Sequence, residues 1–284
     1  STSILSGHAN TLELLTGLDR QRIELMRMSR EAYVRLCMHF RQRLWLQDNR
    51  HVSVEEKMTI FLTIIRHNER LGEFQHSSQT VRKYFHEVLN AIMKFTRSMI
   101  VPTTFDTNLD ILGTKYYDEF LGAVGVPDGT LVHAVIPTIQ QTVYRTRGKG
   151  KCYQNVLGIC DFNIVFTVVW AGWEGVAHDS RVLTEVMTEP NKYYLCDVAY
   201  RNTRGFMAPY HNGRYWLGDF RHRRAITKEQ KFNHAHAKAR NVIKRAYGTL
   251  KARFPILDKM APYPCSVQRD VVIVCVAVNN IMRK

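Results

Sequence analysis

Apolar positions along this 284-residue chain change period near residue 100. Before that point they recur every three or four residues, which is the spacing of amphipathic helices. Ser29 is placed to cap a helix carrying Tyr33, Leu36, Phe40 and Leu44. Ser53, with Glu56 three residues on, matches a capping box ahead of Met58, Phe61, Leu62 and Ile65. A polar stretch over residues 67–78 leads into a third helix, residues 79–99, with Val81, Phe85, Leu89, Ile92 and Phe95 on one face. Helix, short break, helix is compatible with a helix-turn-helix whose second helix enters a major groove. Arg82, Lys83 and His86 would then face DNA. A plain helical packing domain fits the same spacing equally well.

Residues 101–113, containing Pro102, read as a linker. Beyond them come β-branched and aromatic runs bounded by turn residues: 129–137, 152–162, 163–171 and 192–197. A short capped helix is expected between the last two. A long helix follows over residues 228–254, where Phe232, His236, Arg240, Ile243, Tyr247, Leu250 and Phe254 share one face. Residues 266–284 read as a final apolar helix. Strands first and then strands alternating with helices predict an α/β domain with a mixed sheet. The expected organisation is therefore a helical, helix-turn-helix-like region (1–100), a linker (101–113) and an α/β domain (114–284).

Charge sharpens this picture. The formal net charge is +15, and residues 201–284 hold 18 Lys and Arg against 4 Asp and Glu. A nearly neutral body with a basic C-terminal third points to a polyanionic partner, most simply nucleic acid. The longest apolar run, residues 271–278, is too short to span a bilayer, so no membrane is implied. Six cysteines show neither C-x-x-C pairs nor zinc-ligand spacing, as expected of reduced core thiols.

Three acids stand where strands end or helices begin: Asp128 before Gly129, Asp179 at the head of the short helix, and Asp197 closing the fourth strand. Such ends converge on one crevice of an α/β sheet. Carboxylates gathered there can hold hard divalent cations, and two such ions can drive phosphodiester cleavage. Each acid also has a plainer reading, as a turn residue, an N-cap or a strand-end group.

The order DGT, QNVLGICDF, FTVVWAGWEG, AHDSRVL, YYLCDVAYRNTRGFMAPY and RNVIKRAYGTLKARFPIL resembles the plant PIF/Harbinger transposases and their host-derived nuclease relatives. The resemblance covers nearly the whole chain. It implies a ribonuclease-H-like fold with a DDE site, and Mg²⁺ or Mn²⁺ as cofactor. It further implies metal-dependent cutting of DNA in the nucleus with no small-molecule substrate, and a Myb/SANT-type partner that supplies target recognition. Carried over residue by residue, Asp128, Asp179 and Asp197 match the metal ligands, with Asp128 and Asp197 catalytic. The last acidic ligand of the motif V-I-E-R falls on Lys244.

Further departures accompany it. Gly125, Val126 and Pro127 look inserted before Asp128, and Leu131 stands where the family has His. The proline is expected to interrupt a strand ladder there and shift Asp128 out of register. These departures favour impaired cleavage. The alternative role is that of a non-catalytic, domesticated transposase that binds DNA or chromatin proteins, with Arg82, Lys83, Arg240, Arg245 and Lys251 as the expected nucleic-acid contacts.

Overall fold

A computed structural model describes residues 28–67, 76–101, 120–145, 150–174, 192–200, 202–220, 225 and 227–283. The expected linker beyond residue 101, the short helix carrying Asp179, and residues 221–224 lie outside the described residues, as does most of the break between the second and third helices. The chain groups into two compact units, one of residues 1–99, 133–136 and 250–284, the other of residues 100–132 and 137–249.

The first unit is helical. Helix α1 (Arg30–Gln42) starts where Ser29 Oγ accepts the Ala32 N–H at 3.2 Å. It stops before Leu44, which takes a positive φ of 55° and is exposed, so Leu44 does not continue the apolar face expected of it. In α2 (Val54–His67) Ser53 Oγ caps the Glu56 N–H at 3.2 Å. The buried Glu56 carboxylate does not turn back to complete the box; it meets His76 Nε2 at 2.8 Å. Arg41 fastens α1 to the start of α2, bonding both Glu55 oxygens at 2.8 Å and Asp48 at 2.9 and 3.0 Å.

Helix α3 (Ser78–Met99) buries Val81, Phe85, Leu89 and Ile92 of the expected stripe together with Val88, whereas Phe95 is only partly buried. Residues 271–278 explain themselves in the same unit. They lie within a C-terminal helix, Cys265–Ile281, that packs on α3, and all but Ile273 are buried. Phe85 stacks on Tyr263 with ring centres 5.1 Å apart. Gln268 ties residues 133–136 in, accepting from Val135 N at 3.0 Å and donating to Val135 O at 2.7 Å and Tyr263 O at 2.6 Å.

The second unit holds a five-stranded mixed sheet: β1 (Ala123–His133, whose last residue falls in the first unit), β2 (Tyr153–Cys160), β3 (Phe166–Glu174), β4 (Tyr193–Leu195) and β5 (Phe206–Met207), in the order β3-β2-β1-β4-β5. β2 and β3 run antiparallel, while β4 is parallel to both β1 and β5. The turn between β2 and β3 is set by Asp161, whose carboxylate accepts from the Asn163 and Val165 N–H groups, each at 2.9 Å. That turn takes residues from both strands expected on either side of it. β5 was not expected, and its two residues carry no readable alternation. Its outer edge is closed locally, with Phe206 N bonded to Thr203 O at 2.9 Å and Ala208 N to Asn202 Oδ1 at 2.7 Å.

β1 begins earlier than its pattern suggests and runs straight through Pro127. The ladder to β4 pairs Ala123 with Tyr193 and Gly125 with Tyr194, with a register shift between those two points. It stops short of Pro127, where the missing N–H therefore costs no bond to β4. Helix α4 (Lys228–Arg253) packs on this sheet up to residue 249 through Ile243, Ala246 and Tyr247, all buried. Tyr247 Oη donates to the main-chain oxygens of Asp128 (3.0 Å) and Val156 (3.3 Å). Gly158 leaves room for it, since a Cβ there would sit 2.6 Å from that hydroxyl. The C-terminal helix Cys265–Ile281 is α5. No described helix is long and apolar enough to cross a membrane.

Candidate functional site

Two of the three aspartates meet in the second unit. Asp128 lies on β1, and Asp197 follows β4, the parallel neighbour of β1. Helix α4 supplies what faces them. His236, Arg240 and Lys244 are successive i,i+4 positions, so they stand above one another on one side of the helix. His236 Nε2 lies 3.1 Å from Met207 O. Burial holds its pKa down at about 4, so it is neutral at physiological pH and its Nε2 carries the proton donated to that carbonyl. Arg240 Nη2 sits 2.9 Å from Asp197 Oδ2 and 3.8 Å from Asp128 Oδ1. Lys244 is exposed and lines a cleft with Asp197 and Arg240.

The charges are unequally comfortable. Asp128 is largely buried, and its carboxyl titrates above its ordinary value. Burial is the main cause, and the neighbouring Asp197 charge adds to it; Arg240, the Gly129 N–H and Lys244 pull the other way. Arg240 itself is only 9% exposed. Among the described residues its Nε and Nη2 find no acceptor along their N–H directions, although Nη2 is close to Asp197. The contact is therefore one of charge proximity more than an aligned, bidentate fork.

The donors that the described residues place do not by themselves make a two-metal centre. Hard dications need several oxygen ligands, and no cluster of three or more His, Cys, Asp or Glu occurs among the described residues. Two carboxylates are present, with a guanidinium against both and an ammonium one turn along. Asp179 lies outside the described residues and is not placed.

The remaining expected contacts fall on separate elements. Arg82 and Lys83 are exposed on α3. His86, expected beside them, lies partly buried with its ring edge-on to Tyr263. Arg245 is exposed, and Lys251 is partly buried. Arg240 belongs to the buried stripe of α4 and faces the two aspartates from the cleft that Lys244 also lines. Sequence reasoning also passed over Tyr215 and Trp216, which border the same cleft. Trp216 is 69% exposed. That exposure is set by the fold, so nothing in the sequence pattern marks the residue.

Residues 127–280 match the family described as DDE superfamily endonuclease. Residues 2–94 match a domain of unknown function, DUF8040. A human protein named "Putative nuclease HARBI1" is 26% identical over 181 residues, covering 58% of this chain and 48% of that protein. The chain thus spans about half the length of this curated relative. No solved structure matches.

Proposed function

Because the chain belongs to the DDE superfamily endonuclease family, we propose that it is a Harbinger-derived, nuclear DNA-binding protein that has lost strand cleavage. Its sheet order, β3-β2-β1-β4-β5 with β3 antiparallel to β2 and β4 parallel to β1, supports a ribonuclease-H-like scaffold. The observation that carries the loss of cleavage is Lys244. The position expected to hold the last acidic ligand carries an ammonium group, on the cleft that Asp197 and Arg240 also line. Replacing a carboxylate by an ammonium reverses two units of charge at the point where a dication would need an oxygen. Arg240 already neutralises the two aspartates from 2.9 and 3.8 Å. Any metal must displace that attraction, which is of order several kcal/mol before desolvation is counted.

DNA binding is supported by the basic C-terminal third and by Arg82, Lys83 and Arg245, all on exposed helix surface. A separate Myb/SANT-type partner for target recognition belongs to the same reading, with the family resemblance as its support. The deciding assay is cleavage of supercoiled plasmid with Mg²⁺ or Mn²⁺, run beside duplex binding across a salt series. The expected result is no cutting by the wild type, with binding that weakens steeply as salt rises. Metal-dependent nicking by the wild type that disappears in Asp197→Ala would overturn the non-catalytic reading.

A further inference from the structure

The cleft beside Lys244 has a build of its own that suits a different ligand. It encloses about 170 Å³ between residues 215–218 and the Arg240–Lys244 turn of α4. Its lining holds one carboxylate, Asp197, against two cations, Arg240 and Lys244. His236, at the back, is neutral and already donates to Met207 O. Arg240 is about nine-tenths buried, and its Nε and Nη2 lack aligned acceptors among the described residues. An anionic oxygen in the cleft would supply what those donors lack. At the mouth stands Trp216, exposed and on the same lining as Lys244 and Asn241.

Resting on the DNA-binding reading above, we propose that this cleft holds one nucleotide of single-stranded DNA, its phosphate toward Lys244 and Arg240 and its base stacked on Trp216. An open tryptophan beside cations is the pairing that single-strand sites use, because every base presents a flat face while the backbone follows positive charge. A base held in a duplex has both faces covered by its neighbours, so the cleft selects unpaired nucleotides. Asn241 offers an amide to the base edge or sugar. The cations that exclude a metal thus serve to hold the strand itself.

The test uses the full chain and two fluorescein-labelled probes, a short oligothymidylate and a fully paired hairpin, both read by anisotropy. Binding of oligothymidylate is expected to weaken about tenfold in Trp216→Ala and to survive largely in Trp216→Phe, which keeps a stacking face. Lys244→Gln is expected to reduce the salt slope for oligothymidylate by about 0.7, one phosphate contact on a single strand. Hairpin affinity is expected to stay unchanged in Trp216→Ala. If Trp216→Ala binds oligothymidylate as the wild type does while hairpin binding remains salt-sensitive, the cleft assignment is wrong and the general DNA-binding reading stands. If the wild type binds neither probe, both fall together.

Discussion

The tyrosine that ties α4 to the sheet offers a sharp test of how the site is held. Tyr247→Phe removes one hydroxyl and keeps the ring, whose centre lies 5.3 Å from that of Phe166. The hydroxyl has a single proton, shared between Asp128 O at 3.0 Å and Val156 O at 3.3 Å. Its loss forfeits one buried bond and leaves carbonyls unsatisfied, a cost of about 1–2 kcal/mol. Gly158→Ala perturbs the same contact from the other side. Its Cβ would lie 2.6 Å from Tyr247 Oη and 3.1 Å from a Phe166 ring carbon. Overpacking of that kind costs about 1–3 kcal/mol. The two changes must then couple, because deleting the hydroxyl removes the closest clash but not the Phe166 contact. The double variant is expected to be more stable than the sum of the single losses by roughly 1 kcal/mol. Urea denaturation followed by circular dichroism on all four proteins measures this. Strict additivity, within about 0.4 kcal/mol, would show that the hydroxyl does not occupy the space Gly158 leaves.

Three further outcomes follow from the same structure. Asp128 titrates higher folded than unfolded, so the folded protein binds the extra proton and stability falls as pH rises above the ordinary carboxylate range. Asp128→Asn is therefore expected to melt at a higher temperature than the wild type at pH 7, with the gap closing as pH falls toward 4; a variant less stable at every pH refutes this. In the helical unit Lys57 is 2% exposed and bonds Glu87 at 2.8 Å and Gln47 O at 2.9 Å. Glu87→Ala strands that ammonium and is expected to cost about 3 kcal/mol in urea titrations, whereas Lys57→Met costs far less; the opposite order would refute the argument. Adding MgCl₂ at ten times a dissociation constant would stabilise a metal-binding protein by about 1.4 kcal/mol. No such thermal shift is expected at 10 mM MgCl₂ in the wild type, and a clear shift lost in Asp197→Ala would contradict the misfit of the donor set.

How far the sequence reached depends on how much repetition each element offered. α3, α4 and α5 carry apolar stripes over several turns, and their starts and stops fall within a residue or a few of those expected. Leu44 fits the spacing of α1, yet Arg43 and Leu44 turn the chain, and a single residue with φ 55° leaves no trace in a periodicity. β4 and β5 span three and two residues, too few for alternation to show, and long-range pairing defines them. Gln268 binds residues far from it in sequence, so nothing local marks its three bonds. At the site, Asp197 follows a strand as its position suggested, and strand ends gather side chains, whereas Asp128 lies within β1 and not ahead of a strand. Arg240 was read in two ways, as part of the apolar stripe and as a DNA contact. Its position on the stripe accounts for the aspartates beside it, since a cation between Ile243 and His236 on an inward face needs an anionic partner.

That inward cation changes what the aspartates mean. Two carboxylates brought together, one within β1 and one just after β4, repel each other, and one of them, Asp128, is held against burial as well. A metal ion ordinarily relieves such a pair, and the protein then depends on the ion to complete the site. Here the relief comes from α4 itself. Arg240 reaches Asp197 and Asp128, and Lys244 lowers the Asp128 pKa further from the next turn. The described part of the cluster, two carboxylates against Arg240 and Lys244, is close to neutral without any ion, which weakens its electrostatic drive to recruit one. Restoring a carboxylate at residue 244 would undo only half of this, because Arg240 would still stand against both aspartates. Recovery of metal binding is thus expected to require Lys244→Glu together with a neutral residue at 240, and the single change alone to fall short.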